Sequence, residues 1–327
     1  MPSKTGILLT NLGTPKSPSK TDVKAFLSEF LSDNRVVKPK NKLIWWLILN
    51  LIILNTRPKK SAINYAKIWQ RFGPGSPLLD ITNLQLSGVK KVLSKSYDNL
   101  TFEVGMRYGK PSISKALRNL KSSGNNKIII LPLYPQNAGA TTLSTLDAVN
   151  YEVKSWVDSP EIIFINDYHN NTGYINSLAS SITDHQKLHG KPDKLVISFH
   201  GMPKSYIDNG DIYYDQCLNT SQILANTLNL LSNEYCVTFQ SIFGTEEWIK
   251  PYTEDTLKSL ALDGLKHVQV VCPGFSADCL ETLEEIDIEN RAYFINAGGK
   301  TFSYIPALND RSDHILALSD IIQSKIV

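Results

Sequence analysis

The sequence is short of cysteine, and what it has is not arranged for metal. Cys217, Cys236, Cys272 and Cys279 show no C-x-x-C spacing, so their pattern supports neither a zinc site nor an iron–sulfur cluster, and a reducing compartment suits them. Nucleotide signatures are missing too. No G-x-G-x-x-G follows the first apolar run, and Gly73-Pro74-Gly75-Ser76-Pro77 has proline where a dinucleotide loop needs free amides. Gly298-Gly299-Lys300-Thr301 resembles the end of a P-loop, but Phe294 stands where the earlier glycine is required. G-x-S-x-G and H-E-x-x-H are both absent. Charge of one sign is not in excess: 34 Lys and Arg face 31 Asp and Glu, a net +3, with no long basic stripe, which argues against nucleic acid as a partner. Only Met1-Pro2-Ser3-Lys4 precedes the first apolar run, leaving no length for a signal peptide, so a cytoplasmic protein is expected. The longest hydrophobic run, Leu43 to Leu54, would span about 18 Å as a helix against roughly 30 Å of bilayer hydrocarbon. It cannot cross a membrane alone.

What is present is an alternation of strand and helix. With 327 residues and 42% hydrophobic content, the chain can build two domains, each with its own core. Short apolar runs rich in β-branched residues recur at Thr5 to Thr10, Thr101 to Met106, Lys127 to Leu131, Glu161 to Ile165, Lys194 to Phe199, Tyr235 to Gln240 and His267 to Cys272. Segments of helical length lie between most of them, such as Ile113 to Ser122, Thr220 to Leu231 and Thr253 to Leu262. This order predicts an α/β fold with parallel sheets covered on both faces. The polar stretch Asn166 to Thr172 is the expected boundary, giving domains 1–168 and 169–327. In open α/β sheets, ligands gather at the carboxyl ends of the strands. Here those ends are followed by Asn11-Leu12-Gly13-Thr14-Pro15, Arg107-Tyr108-Gly109, Pro132-Leu133-Tyr134-Pro135-Gln136, His200-Gly201-Met202-Pro203 and Pro273-Gly274-Phe275, and one cleft between two halves would collect them.

His200 ends the run Lys194 to Phe199 and is stopped by Gly201 and Pro203; an imidazole there can take up a proton or bind a metal near neutral pH. A second cluster follows Cys272. Ser276 or Asp278 is positioned to cap a helix, and Glu281, Glu285 and Glu289 stack at i, i+4 spacing along it. Glu284, Asp287 and Glu289 read as a solvated face, with Asp287 pairing to Arg291, whereas Glu281 sits nearest the strand end. Carboxylates leading to that point suit a hydrated divalent cation, and an imidazole would complete a mixed nitrogen and oxygen site that accommodates Fe(II) among other ions. His185 and His189 also have i, i+4 spacing, but in a polar stretch expected to be solvated. Leu43 to Leu54, with Trp45 and Trp46, is flanked by Lys38, Lys40 and Lys42 and by Arg57, Lys59 and Lys60; it reads either as a core helix or as a lip that dips into a membrane surface.

These segments are also where the chain resembles the ferrochelatases, enzymes that insert Fe(II) into a porphyrin. The similarity runs through LLTNLGTP (Leu8 to Pro15), RFGPGSPL (Arg71 to Leu78), LPLYPQ (Leu131 to Gln136), ISFHGMP (Ile197 to Pro203), FQSIFGTEEWIKPYTEDT (Phe239 to Thr256) and CPGFSADCLETLEEID (Cys272 to Asp287), nearly the whole length. The resemblance implies two Rossmann-like domains with the porphyrin in the cleft between them, His200 as the active-site histidine, Glu281 as its acidic partner in catalysis and metal handling, and Glu285 on the metal path. It places Leu12 beside the macrocycle, Tyr134 and Trp248 in the pocket lining, and Arg71 and Arg107 at the propionates. It also makes 43–54 the hydrophobic lip of the cleft mouth. Protoporphyrin and Fe(II) are then substrates, no cofactor is permanently bound, and contact with the cytoplasmic membrane face is peripheral.

Two departures stand out: Cys279 replaces a histidine found in some relatives, and the cysteine-bearing extension that binds a [2Fe-2S] cluster in some members has no counterpart before Val327. A bacterial-type enzyme without a cluster is expected. Alternatives at this stage are a chelatase for coproporphyrin or another tetrapyrrole, and a non-catalytic heme or metal carrier.

Overall fold

The computed structural model describes residues 4–326. Two units divide the chain: one runs to Asp167 and takes in the stretch from Leu318 onward, and the other is Tyr168–Ala317. Each holds one four-stranded sheet in which every pairing is parallel.

In the first unit the strands are β1 (Thr5–Thr14), β2 (Leu100–Gly109), β3 (Lys127–Pro132) and β4 (Glu161–Phe164), in the order β2-β1-β3-β4. The helices are α1 (Lys20–Leu31), α2 (Lys42–Leu47), α3 (Leu54–Ile68), α4 (Pro77–Leu93), α5 (Ile113–Ser122) and α6 (Ser144–Val153). Ile7, Leu8, Leu9 and Ile128 to Leu131 are wholly buried, as expected for parallel strands covered on both faces. Leu8, Ile128 and Ile130 pack against Ile113, Ala116, Leu117 and Leu120 of α5 and Val149 of α6. Truncating a fully buried leucine such as Leu117 in that cluster costs about 2–5 kcal/mol. Gly13 turns the chain after Leu12 at φ +109°, and a Cβ there would lie 1.8 Å from the carbonyl oxygen of Tyr108, so only glycine fits.

The second unit repeats the strand order. Its strands are β5 (Lys194–His200), β6 (Tyr235–Gln240), β7 (His267–Val271) and β8 (Thr301–Ile305), arranged β6-β5-β7-β8. Its helices are α7 (Thr172–His189), α8 (Lys204–Asp208), α9 (Tyr213–Thr227), α10 (Thr253–Leu262) and α11 (Arg291–Asn296), while α12 (Ser312–Ile326) is shared with the first unit. The expected strands all form. β8 escaped the sequence reading because it is a short edge strand in which exposed Thr301 and half-buried Ser303 alternate with buried Phe302 and Tyr304, unlike the continuous apolar runs at the sheet centre.

The segment after α1 is not a core helix. Asn41 caps α2 by accepting from the amides of Leu43 and Ile44, and the helix continues through a π-helical stretch, Ile48–Ile53, into α3. Leu49 and Leu54 turn inward against Leu31, while Leu43, Trp46, Leu51 and Ile52 are 68%, 57%, 65% and 57% exposed. Trp45 departs from the expected pair of interfacial tryptophans: it is half-buried beside that cluster and donates its indole N–H to the Leu31 carbonyl at 3.0 Å. Among the described residues, no helix is long and apolar enough to cross a membrane.

Candidate active site

Two neighbouring strands of the second unit end in polar side chains, His200 and Gln240. His200 closes β5, half-buried, directly opposite Gln240 at the end of β6. Its Nδ1 lies 2.6 Å from the Gly201 carbonyl. A carbonyl can only accept, so in the neutral ring Nδ1 carries the proton and Nε2 presents the lone pair. The backbone beneath is fixed: Tyr213 donates its hydroxyl to the His200 carbonyl (3.1 Å) and the Gly201 amide donates to the Gln240 carbonyl (2.6 Å). A Cβ on Gly201 would meet that carbonyl at 2.7 Å and the Trp248 ring at 3.0 Å, so glycine is required by close approach. Trp248 itself is 3% exposed, with the Phe243 ring edge-on at 5.0 Å.

Gln240, only 2% exposed, ties the strand ends to the acidic helix. Its Oε1 accepts from Ser198 Oγ at 2.8 Å and from the Cys272 thiol at 3.5 Å, and its Nε2 donates to the Glu281 carbonyl at 2.9 Å. Glu281 opens a π-helical segment, Glu281–Asn290, that leads into α11. Such wide turns cluster at functional sites. One step along, Glu285 accepts from Ser241, whose amide donates at 2.7 Å and whose Oγ donates at 2.5 Å. Ser241 holds a left-handed backbone (φ +66°), a conformation that costs a non-glycine residue about 1–2 kcal/mol and that here aims both donors at one carboxylate. Burial pushes the Glu285 carboxyl up to about 7; the Ser241 donors oppose the rise, and the charges of Glu281 and Glu289 add to it. The Glu281, Glu285 and Glu289 row therefore exists as expected and is electrostatically coupled.

Two details differ from expectation. Glu284 is buried, 5% exposed, because in this segment it faces the unit's core rather than solvent. Asp278 does not cap the helix: it is wholly buried and accepts from Tyr304 Oη (2.6 Å), Asn309 Nδ2 (2.7 Å) and Thr282 Oγ1 (2.9 Å), so it anchors the turn between β7 and the acidic segment. Asp287 does pair with Arg291.

The first unit places Leu12 half-buried near the end of β1, Tyr134 half-buried just after β3, and Arg71 exposed in the bend before α4. Arg107 is not an open guanidinium. Its Nη2 donates to Asp33 Oδ2 at 2.5 Å, its Nε donates to the Ser144 carbonyl and hydroxyl, and its plane lies 4.5 Å from the Tyr108 ring centre. Asp33 also accepts from Ser144 Oγ and Tyr108 Oη. Burial raises the Asp33 pKa, but the donors Ser144, the Arg35 amide and Tyr108, with the charge of Arg107, outweigh it and hold the carboxyl below its ordinary range.

His185, expected to be solvated, is instead half-buried, with its Nε2 enclosed. The cysteines are all free: Cys217, Cys272 and Cys279 are buried and Cys236 is half-buried. Among the described residues, no three His, Cys, Asp or Glu side chains are grouped to hold a metal ion. Gln240, Ser241 and Asp278 were not identified as site or anchoring residues by sequence reasoning. The first two were accessible to the strand-end rule, since Gln240 ends β6 as His200 ends β5 and Ser241 follows it, but an uncharged amide and a serine give no chemical signal of their own.

Comparisons with known proteins agree along the whole chain. The family model described as Ferrochelatase matches residues 4–326. Relatives named Ferrochelatase include one from Hydrogenovibrio crunogenus, 57% identical over 97% of this chain and 84% of its own, and one from Pseudoalteromonas atlantica, 49% identical over 99% and 89%. Ferrochelatase 2 of Shewanella oneidensis is 46% identical over 98% and 97%. Among solved structures, SirB from Bacillus subtilis with Fe3+ superposes with a TM-score of 0.57 at 12% identity, covering 98% of this chain and 95% of that one. CbiX, described as the terminal enzyme for biosynthesis of siroheme in denitrifying bacteria, gives 0.53 at 11% identity, covering 98% of each chain; these two likenesses speak for the fold alone. On the family match over residues 4–326 and relatives up to 57% identical across nearly the full chain, the chain belongs to the ferrochelatase family.

Proposed function

We infer that the protein is a ferrochelatase, a lyase that inserts Fe(II) into protoporphyrin IX with release of two protons to form heme b. The carrying observation is the family match over residues 4–326 together with relatives of that name at up to 57% identity across nearly the full chain. That level of identity favours the porphyrin reaction over the chemistry of the sirohydrochlorin chelatase SirB, a structural neighbour at 12%. The non-catalytic carrier is likewise disfavoured.

Insertion replaces two pyrrole N–H protons by one divalent ion, so the site must accept protons and deliver metal at one place. His200 is assigned as the base: Nδ1 is committed to the Gly201 carbonyl, leaving Nε2 to accept a proton. Glu281 assists proton removal or metal delivery, and Glu285 passes ions toward it. A carboxyl that titrates near 7 can exchange a proton or an ion at neutral pH, which supports this role. Leu12, Tyr134 and Trp248 are assigned to the macrocycle and Arg71 to a propionate. Arg107 is assigned to hold the Asp33 and Ser144 framework and to contribute to propionate binding only through donors beyond that pair. The exposed apolar face of 43–54, with basic flanks, supports peripheral contact with the cytoplasmic face of a membrane through Trp46, Leu43, Leu51 and Ile52.

An anaerobic assay with purified protein, Fe(II) and either protoporphyrin or coproporphyrin tests the assignment. Metalloporphyrin formation with a higher kcat/KM for protoporphyrin is the expected result; preference for coproporphyrin would move the protein to the other porphyrin reaction, and no product from either would favour the carrier.

A further inference from the structure

Three of the five imidazoles outside the chelation site lie together. His185 and His189 lie one turn apart in the last turns of α7, with ring centres 4.2 Å apart and planes inclined by 31°. His267 opens β7 and is near enough to act on His185 electrostatically. Because α7 leads into β5 and β5 runs parallel to β7, this cluster sits at the amino end of the sheet. His200 closes the other end of β5, about 20 Å away by strand rise.

Two of the three rings have a nitrogen with nothing to bond. Nε2 of His185 and Nε2 of His267 are buried without a hydrogen-bond partner. Buried polar atoms left unpaired are uncommon and costly. The nearby acids are engaged elsewhere: Asp193 accepts from the backbone amides of Lys266 and His267 at 2.8 Å, and Asp184 is paired with Lys187 and Arg311. Burial, and then the proximity of His189 and His267, lowers the pKa of His185, which keeps its ring neutral and able to ligate. The C-terminal end of α7 adds the negative end of a helix dipole, which favours a bound cation.

We propose that His185 and His189 form a second transition-metal site, at the amino end of the second sheet, that takes a borderline divalent cation such as Ni(II), Zn(II) or Co(II). Two histidines at i, i+4 on one helix face are a known zinc-ligand spacing, and imidazole selects these ions over the hard cations Mg(II) and Ca(II). Water completes the coordination. His267, near enough to act on His185, supplies a third nitrogen next to the pair.

Calorimetric titration of the chelator-treated chain with Ni(II), without porphyrin, tests this. The wild type is expected to bind one more equivalent than His185→Ala/His189→Ala, and His267→Ala is expected to weaken that equivalent by about tenfold, or 1.4 kcal/mol. Mg(II) at the same concentration should leave the site unfilled. Iron insertion by the double variant should stay within about twofold of wild type, since the site lies at the other end of the sheet. Equal Ni(II) stoichiometry and affinity in wild type and double variant would overturn the proposal. His185 is half-buried, so circular dichroism should accompany the titration. If the double variant is unfolded, His189→Ala, at an exposed position, carries the test alone: weaker Ni(II) binding supports the site and unchanged binding overturns it.

Discussion

The two sheets share one strand order and treat the ends of their strands differently. In the first unit, β2 ends in Arg107 and Tyr108, and both are bound to Asp33 and Ser144. A half-buried cation meets a half-buried anion, and hydroxyls satisfy what remains. In the second unit, β6 ends in Gln240 and Ser241, neutral donors and acceptors that hold Glu281 by its backbone and Glu285 by its carboxylate. The first arrangement neutralises charge and fixes a frame. The second keeps carboxylates together, and burial, with the charges of Glu281 and Glu289, pushes the Glu285 carboxyl up to about 7 against the opposing Ser241 donors. One topology thus carries a charge-paired frame in one unit and a row of carboxylates in the other, and the difference lies in a few residues after the strands.

The comparison predicts where losses fall. The largest belong to the second unit: His200→Ala and Glu281→Gln each lower kcat for Fe(II) insertion by about 10²–10⁴-fold, with little change in porphyrin KM, the scale of general acid–base catalysis. Arg107→Leu should instead destabilise by about 1–3 kcal/mol in urea unfolding, because it leaves the half-buried Asp33 carboxylate without its cation, and raise KM more than it lowers kcat. An equal fall in kcat for both groups would erase the distinction between units.

Glu285→Gln tests the electrostatics. A carboxyl raised from 4.5 to about 7 in the folded chain stays protonated there after its unfolded counterpart has ionised, so it makes stability fall as pH rises from about 4.5 to about 7. Wild type should show that slope and Glu285→Gln should lack it; parallel profiles would mean that Glu285 titrates as an ordinary carboxylate. The smallest effect separates the two tryptophans. Trp46→Ser should weaken binding to anionic vesicles several-fold with unchanged stability, whereas Trp45→Ser should cost about 1–3 kcal/mol by loosening its packing against Leu49 and Leu54.

Much of this was legible in the sequence where side-chain chemistry and strand pattern coincide. His200 announced itself because a titratable ring ends a continuous apolar run, and β1, β3, β5 and β7 because parallel strands buried on both faces leave few polar positions. β8 did not, since an edge strand alternates. The acidic spacing of Glu281, Glu285 and Glu289 was readable, but the different settings of the acids were not: Glu284 is buried, and Glu285 is pushed up by burial against the opposing donors of a serine distant in sequence. Arg107 looked like an open anion binder until Asp33, from the far end of α1, claimed its fork. Partners brought together by the fold from distant segments leave no mark on local pattern.

The central claim, that the second unit performs the chemistry and the first grips the macrocycle, is tested most directly by one preparation of His200→Ala. Anaerobic Fe(II) insertion into protoporphyrin and porphyrin binding by tryptophan fluorescence quenching should be measured side by side with wild type. The account predicts binding within about threefold of wild type and insertion reduced by about 10²-fold or more; insertion near the wild-type rate would contradict it.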